Sequence, residues 1–549
     1  MANQRRIFEY KECYLSRQEN EILNSPQVDR LVILIEEATR ATGDSPRRFI
    51  EPARGTLDRA KSRRHHIVFG RRGSGKTSLL RKAGADLTLR RIPVAFIDLE
   101  AFKGHTYPDV LISVLIETAG AFSNWLGTAG STPGSKTSFW KKFMGKPEAQ
   151  PLNIEKVAAC REALEGQVRE LRALLHEEDG AALTSKVASA SRNSVAQATG
   201  AIAGAALAGL SASLGGSGEV GTSNERSSEV VEQQKRDKIT FLHRRIIDFQ
   251  KLFEKIVELS GSDAYVFLDD LYHISRRDQP EVLDYFHRIL KGRSVWLKVG
   301  TIRHRTDWYR HGDPPVGMKL GDDWDDIDLD ITLEKYDLAK GFLLQILDQI
   351  IQEAGLKRHE ELLADGGIER LVLASGGVAR DFLTIFRRAI DVARERGKTY
   401  RGNRINAEDV NIAAGEHDPS KRDELKRDTS EERTELEAAL RVLQDFCLEN
   451  LANCFLVQRD SPSRGQELLG ELVDLRFVHI VESRTSVRDN PGKLYTGYML
   501  DVSQYTGERR RRELEMISFW KKDQLDRIRG SKYVLDLSRM GTPPPATSS

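Results

Sequence analysis

Apolar and polar positions along the chain follow two rhythms, and their order is the first guide to architecture. Four short apolar runs have the length and abrupt ends of buried strands: residues 66–69, 93–100, 265–270 and 294–303. Helical periodicity lies between them, over residues 78–83, 108–126 and 280–290. Strands alternating with helices predict a parallel sheet covered on both faces. From 335 to 415 the rhythm is helical throughout, interrupted at Gly376-Gly377, with Arg380 in the first turn of the next helix. Residues 416–433 are charged and poor in apolar positions, as a linker would be. Then follow an amphipathic helix (431–446), a short element over 448–457 that reads as helix or strand, and a second amphipathic helix (464–475). A strand (476–481), a turn through Asn490-Pro491-Gly492 and a last strand (494–501) complete the plan of a winged helix.

The delay before the third strand marks an insertion over 127–240. Residues 152–178 and 235–259 read as charged helices, one leaving and one returning. Between them, 193–218 carry no charge, a stretch long enough to span a bilayer. Most of these residues are Ala, Gly and Ser, with Val195, Ile202, Leu207, Leu210 and Leu214 as the larger aliphatics, and Gly200 and Gly204 form a small-xxx-small pair. A flexible or self-packing hairpin tip accords best with that content; an oligomerisation element and a membrane-active segment are the other two readings.

Composition narrows the class. The 549 residues exceed one core, and 39% hydrophobic with 30% charged residues describe a globular protein with a charged surface. A net charge of +2 makes any nucleic-acid surface local, and the sequence from 505 onward has ten Lys/Arg against six Asp/Glu, including Arg509–Arg512. Four cysteines without a C-x-x-C pair give no metal site, and the polar N-terminus is unlike a signal peptide, so a reduced cytoplasmic setting is expected. The sharpest chemistry follows the first strand. Gly70-Arg71-Arg72-Gly73-Ser74-Gly75-Lys76-Thr77, followed by Ser78, satisfies the phosphate-binding loop G-x-x-x-x-G-K-[ST] without mismatch. Its glycines let backbone N–H groups approach phosphate oxygens, Lys76 reaches the β- and γ-phosphates, and the Thr77 hydroxyl is suited to Mg2+. The run 265–268 ends in Asp269 and Asp270, a Walker B pattern in which Asp269 serves the Mg2+ shell and Asp270 the attacking water. The acidic stretch 321–330 reads as a half-exposed edge strand rather than a Ca2+ loop.

Phosphate loop, Walker B, a third-neighbour strand ending Gly300-Thr301-Ile302-Arg303, a helical lid with Gly-Gly-x-x-Arg380 and a winged helix together resemble the AAA+/STAND branch of P-loop ATPases. The chain is similar to origin-recognition-like ATPases, to STAND regulators and to defence-associated bacterial ATPases with this same loop. The resemblance implies ATP and Mg2+, Thr301 or Arg303 as the first γ-phosphate sensor, Arg380 as the second, and Arg276 or Arg277 acting on a neighbouring copy in a homo-oligomer. An aspartate at 270, where hydrolytic relatives usually carry glutamate, implies slow turnover. The expected fold class is α/β, a P-loop parallel sheet with helical lid, Ala/Gly-rich helical insertion and winged helix. The expected domains are an N-terminal helical segment (1–60) packed on the nucleotide domain, an ATPase core (61–330), a lid (331–415), the winged helix (416–505) and a basic tail (506–549). The implied function is a nucleotide switch coupled to assembly or to double-stranded DNA, with Arg464, Gln466, Arg484, Arg488, Lys493 and the tail as contacts. Against DNA stand Glu467, Glu471 and Asp474 on the same helix as Arg464 and Gln466. The alternative is a signalling or defence ATPase that acts through a protein partner, or through a membrane by way of 193–218, without DNA; a membrane role is the less expected.

Overall fold

The computed structural model describes residues 22–39, 48–131, 153–175, 221–396, 403–428, 433–459, 463–506 and 514–540. The uncharged segment 193–218 and Arg509–Arg512 lie outside these residues. At the centre is a five-stranded sheet of β1 (His66–Phe69), β2 (Val94–Asp98), β3 (Ala264–Asp269), β4 (Val295–Thr301) and β7 (Asp325–Asp328), in the order β2-β3-β4-β1-β7. Every pairing is parallel, so all five C-terminal ends meet along one edge. The strands are apolar on both faces because both are covered. Val68 and Phe267 face one apolar cluster with Leu79 and Leu80 of the helix Lys76–Leu89. Ile67, Phe69, Val266 and Leu268 face another, with the helices Asp109–Ser131 and Gln279–Leu290. A small hairpin, β5 (Tyr309–Arg310) with β6 (Val316–Gly317), precedes the edge strand β7.

The insertion leaves on a helix over 154–175 and returns on Gly221–Ser260, and both bury apolar residues (Val157, Leu164, Leu171, Leu242, Phe249) in the second sheet cluster. Among the described residues one helix, Asp109–Thr128, is long and apolar enough to cross a membrane, and 67% of its most apolar window is buried inside the protein.

Four helices form the lid: Tyr336–Ala354, Asp365–Ser375, Ala379–Arg396 and Ala407–Asp428. Next come the helix Arg433–Glu449, β8 (Cys454–Gln458), the helix Arg464–Asp474, β9 (Val478–Val487) and β10 (Asn490–Leu500). β8, β10 and β9 make an antiparallel sheet in that order, the winged-helix arrangement, and the ambiguous element at 448–457 is thereby a strand. Lid and winged helix share one apolar cluster.

Two segments pack differently from expectation. The N-terminal helix Pro26–Thr39 buries Val28, Leu31 and Ile35 with the lid rather than against the sheet, because its apolar stripe faces Leu343 and Leu347. The stretch read as a basic tail is ordered packing over 514–540. Ile517, Phe519, Ile528, Tyr533, Leu535 and Met540 enter the lid–winged-helix cluster, and Trp520 stacks on Tyr336 at 4.3 Å.

Candidate functional site

The phosphate loop leaves β1 at Phe69 and turns through Gly73 (φ 88°) and Gly75 (φ 101°), conformations that side chains with a Cβ rarely adopt. The helix Lys76–Leu89 then begins, so its free N–H groups face the loop's hollow. Lys76 is buried and donates to the carbonyls of Gly70 (2.8 Å) and Arg71 (3.2 Å); burial pulls its ammonium below the ordinary lysine range. Asp269 ends β3 at 1% exposure and receives the Thr77 hydroxyl. Burial first, then Asp270, pushes its carboxyl up to about 7. Gly300 on β4 leaves the room this needs, since a Cβ there would lie 2.6 Å from Asp269 Oδ1. Asp270 adopts a left-handed backbone (φ 57°), and its N–H donates to Asp269 Oδ1 at 3.1 Å.

A cavity of about 430 Å³ opens over this edge, between sheet, lid and N-terminal segment. Arg72, Gly73, Ser74, Gly75, Lys76, Thr77, Ser78, Asp270, Tyr272 and Arg380 line one end. Phe49, Ile50, Pro52, Phe342, Ile346, Ile350 and Leu383 line the other, apolar end, with Gln349 among them. Arg48 ties the N-terminal segment to the lid through a two-pronged pair with Glu353 (2.7 and 3.0 Å). Arg380 reaches the cavity from the lid, and its backbone N–H donates to the Gly73 carbonyl at 3.4 Å. Among the described residues its guanidinium has no carboxylate partner, and burial, then Arg476, lowers its proton affinity. A buried cation whose proton affinity is lowered in spite of Asp381 and Glu424, and which lines the phosphate-loop cavity, favours an anion.

The structure thus brings together Arg72 to Ser78, Asp270 and Arg380, with Asp269 behind Thr77. Three expected residues lie elsewhere. Gly70 contributes its carbonyl to Lys76 rather than a cavity wall. Arg71 turns its side chain away, to Asp330, the Gly376 carbonyl (3.1 Å) and His479 (3.4 Å). Arg303 does not face the cavity: it lies 4.0 Å over the Phe69 ring and pairs with Asp326 (3.2 Å) and Asp328 (3.3 Å). The acids of β7, parallel to β1, draw it to the sheet edge. Thr301 is buried against the Thr306 hydroxyl at 2.5 Å. Conversely Arg48, Phe49, Ile50, Arg81, Asp98, Glu100 and Tyr272 line or frame the cavity without any motif to mark them.

The helix Arg464–Asp474 is not free to enter a DNA groove in this arrangement. Glu471 pairs with Arg276 (2.7 Å), and Asp474 accepts from the His304 backbone (3.1 Å) and lies 3.0 Å from its imidazole. Gly470 abuts His304, Gly465 meets the Leu537 carbonyl, Arg464 pairs with Glu435 and Glu467, and Gln466 bonds Tyr498. Two of the three acids that oppose DNA, Glu471 and Asp474, are therefore partners of the ATPase core, and Arg276 is engaged within its own chain. On the wing, Arg488 donates to the Asp526 carbonyl (3.2 Å) and Lys493 to Gln458 (3.3 Å).

No family model and no curated protein matches the chain. Among solved structures it is similar to Cdc6p from Pyrobaculum aerophilum, at 11% identity and a TM-score of 0.29, covering 80% of this chain and 84% of that one. It is also similar to a Walker-type ATPase of Pyrococcus abyssi (14%, TM-score 0.37, covering 82% and 92%). A third is the Aeropyrum pernix Orc1 protein, solved in complex with DNA (13%, TM-score 0.31, covering 84% and 92%). Likenesses at these levels carry no statement about activity, and strand order and loop geometry carry the fold. With β4 between the phosphate-loop and Walker B strands, a helical lid and a winged helix, the chain has the fold of an AAA+ P-loop ATPase.

Proposed function

We propose that the protein binds ATP in the cavity between sheet and lid and hydrolyses it slowly, as a switch whose lid and winged helix follow the nucleotide. The observation that carries this is the buried Arg380 guanidinium, without an ion-pair partner among the described residues and reaching from the lid into one cavity with Lys76 and Asp270. Triphosphate fits the cationic end, and a base fits the apolar end between Phe49-Ile50 and Phe342. Hard oxygen donors suited to Mg2+ are in place, the Thr77 hydroxyl against the Asp269 carboxylate. When bound there, Mg2+ neutralises charge on the β- and γ-phosphates. On binding, Lys76 exchanges its two carbonyl partners for phosphate oxygens, Arg380 closes over the γ-phosphate, and Asp270 orients the attacking water.

The coupling to DNA or to assembly is part of the same proposal. Because the helix Arg464–Asp474 is held by the core, a duplex meets the wing or the basic residues near 509 unless nucleotide frees that helix. Its burial through acidic side chains favours a second reading, a switch set by a protein partner without nucleic acid. Steady-state ATP hydrolysis with and without duplex DNA, beside Lys76→Ala, separates them. DNA stimulation that vanishes in Lys76→Ala supports the first reading. ATP binding without any DNA response supports the second, and no nucleotide binding at all overturns both.

A further inference from the structure

The winged helix grips the phosphate loop itself, at two consecutive residues. Arg476 Nη1 donates to the Arg72 carbonyl at 3.1 Å, while Arg71 reaches His479, two residues into β9. Behind them lies a buried charge network. Arg476 donates to Asp381 (2.8 Å) and pairs with Glu424; Lys421 donates to the Arg476 carbonyl (3.3 Å) and pairs with Asp501 (2.9 Å), which lies 2.7 Å from His479. Arg476, His479, Asp381 and Asp501 are each at most 1% exposed. Against the cost of burial, Arg476, His417 and Lys421 hold the Asp381 carboxyl well below its ordinary range. Arg476 has a left-handed backbone (φ 65°), a strained conformation for a long side chain. Gly376 passes so close to His479 that a Cβ would stand 2.0 Å from its ring. A surface contact formed by chance would carry neither feature.

The geometry has a consequence at the peptide between Arg72 and Gly73. A trans peptide is planar, with C=O and N–H pointing in opposite directions. An arginine that fixes the Arg72 carbonyl toward the winged helix therefore aims the Gly73 N–H away from it, and Gly73 lines the nucleotide cavity. Among the described residues that N–H has no hydrogen-bond partner. We propose that Arg476 is a positioning residue for the anion-binding loop: it preorganises the Arg72–Gly73 peptide so that the Gly73 N–H meets a phosphate oxygen, with Arg71 anchored by His479 as the second fixed point. This rests on the reading of the cavity as a triphosphate site and extends it. Loop and winged helix then share one coupling free energy, so whatever displaces the winged helix weakens nucleotide binding, and nucleotide tightens the grip of the winged helix.

Arg476→Lys keeps a cation for Asp381 but loses the fork whose Nη1 serves Asp381 and the Arg72 carbonyl while Nη2 holds Glu424. It is compared with wild type in the full chain. Labelling arginine carbonyl carbon and glycine nitrogen isolates the six Arg-Gly steps of the sequence, one of them Arg72-Gly73. In the unliganded protein the variant is expected to shift or broaden the Gly73 resonance and leave those of Arg54-Gly55 and Arg529-Gly530 in place. ATP affinity is expected to fall at least tenfold, with kcat at saturating ATP within twofold. In wild type, ATP should slow amide exchange over 476–481. An unmoved Gly73 resonance, or ATP affinity within twofold of wild type, overturns the proposal. If wild type binds no ATP while the Gly73 resonance still moves, the triphosphate reading falls and the positioning contact stands. Global chemical-shift change in Arg476→Lys would overturn the local role, and Lys421→Arg, which leaves Arg476 intact, shows whether disturbing the network alone produces it.

Discussion

Lys298 sits in β4 with no exposure, and its ammonium nitrogen donates to the carbonyls of Ser62 (2.8 Å) and Arg64 (2.6 Å) beside His66. Burial pushes it down to about 7 from 10.5. Between those values the unfolded chain holds a proton that the folded chain has released, so stability rises with pH across that window. Below pH 7 the folded state bears the full cost of a buried cation, on the order of 5 kcal/mol. Denaturation midpoints from pH 7 to 10 should climb for wild type relative to Lys298→Met, which lacks the titrating group; parallel curves would refute this. Two residues further along the same strand, Gly300→Ala drives a methyl into Asp269 and Leu80. The Asp269 carboxylate must then leave Thr77, and the Mg2+-dependent part of ATP affinity should fall about tenfold, or 1.4 kcal/mol. Affinity measured with Mg2+ and with EDTA checks it, because a purely structural defect lowers both. The loop residues were legible because phosphate imposes a fixed spacing on Gly, Lys and Thr. Arg303 and Arg71 were not, since a motif gives a side chain's position in the chain and leaves its direction open. Arg303 went to the acids of β7, a strand that lies beside β1 only after folding.

Among elements, the helix Arg464–Asp474 shows how a sequence can give an element's boundaries and mislead about its face. Ser463 caps it, accepting from the Gln466 N–H, and its apolar stripe is regular, so its existence was readable. Its polar face looked like a groove-reading surface with three misplaced acids, yet two of them are ion-pair partners of Arg276 and His304. Glu471 is 4% exposed whereas Arg276 is half-buried, so the two deletions should differ. Arg276→Ala leaves a buried carboxylate short of its cation and should cost about 2 kcal/mol, more than Glu471→Gln, which leaves a cation that water can reach. Urea midpoints of the two single variants and the double variant test this, and equal costs would show the pair to be a surface contact. The His304 bond to Asp474 raises the imidazole, with Arg303 opposing and Glu471 assisting. Its contribution is present below about pH 6.5 and is lost as pH rises through the folded value. The protection of this helix against amide exchange, after correction for the base-catalysed intrinsic rate, should accordingly fall toward neutral pH in wild type and not in His304→Ala.

The whole molecule divides otherwise than its sequence order implies. Periodicity separates lid from winged helix by a charged stretch, but in space one apolar cluster runs from Leu23 through the lid and winged helix to Met540. The sheet has its own two clusters. Composition could not reveal this, because a charged linker reports on the residues that cross a gap and says nothing of the surfaces on either side. The cavity proposed for nucleotide therefore lies between two bodies, joined by Arg380 and Arg48 at its walls and by Arg476 at the phosphate loop. The residues over 514–540 are part of the second body's core. Removing Phe519, Ile528, Tyr533, Leu535 and Met540 forfeits roughly 1.5–3 kcal/mol for each side chain, an upper bound near 15 kcal/mol that rivals a domain's entire stability. A chain ending at residue 506 should thus keep the sheet's folding transition and lose that of the lid and winged helix, exposing apolar surface to a hydrophobic dye. ATP should then fail to raise the remaining melting transition, whereas in the full chain saturation at a hundred times Kd adds about 2.7 kcal/mol. If the shortened chain still melts as two bodies and still responds to ATP, the 514–540 segment is a covering of the winged helix and the nucleotide site needs only the sheet and lid.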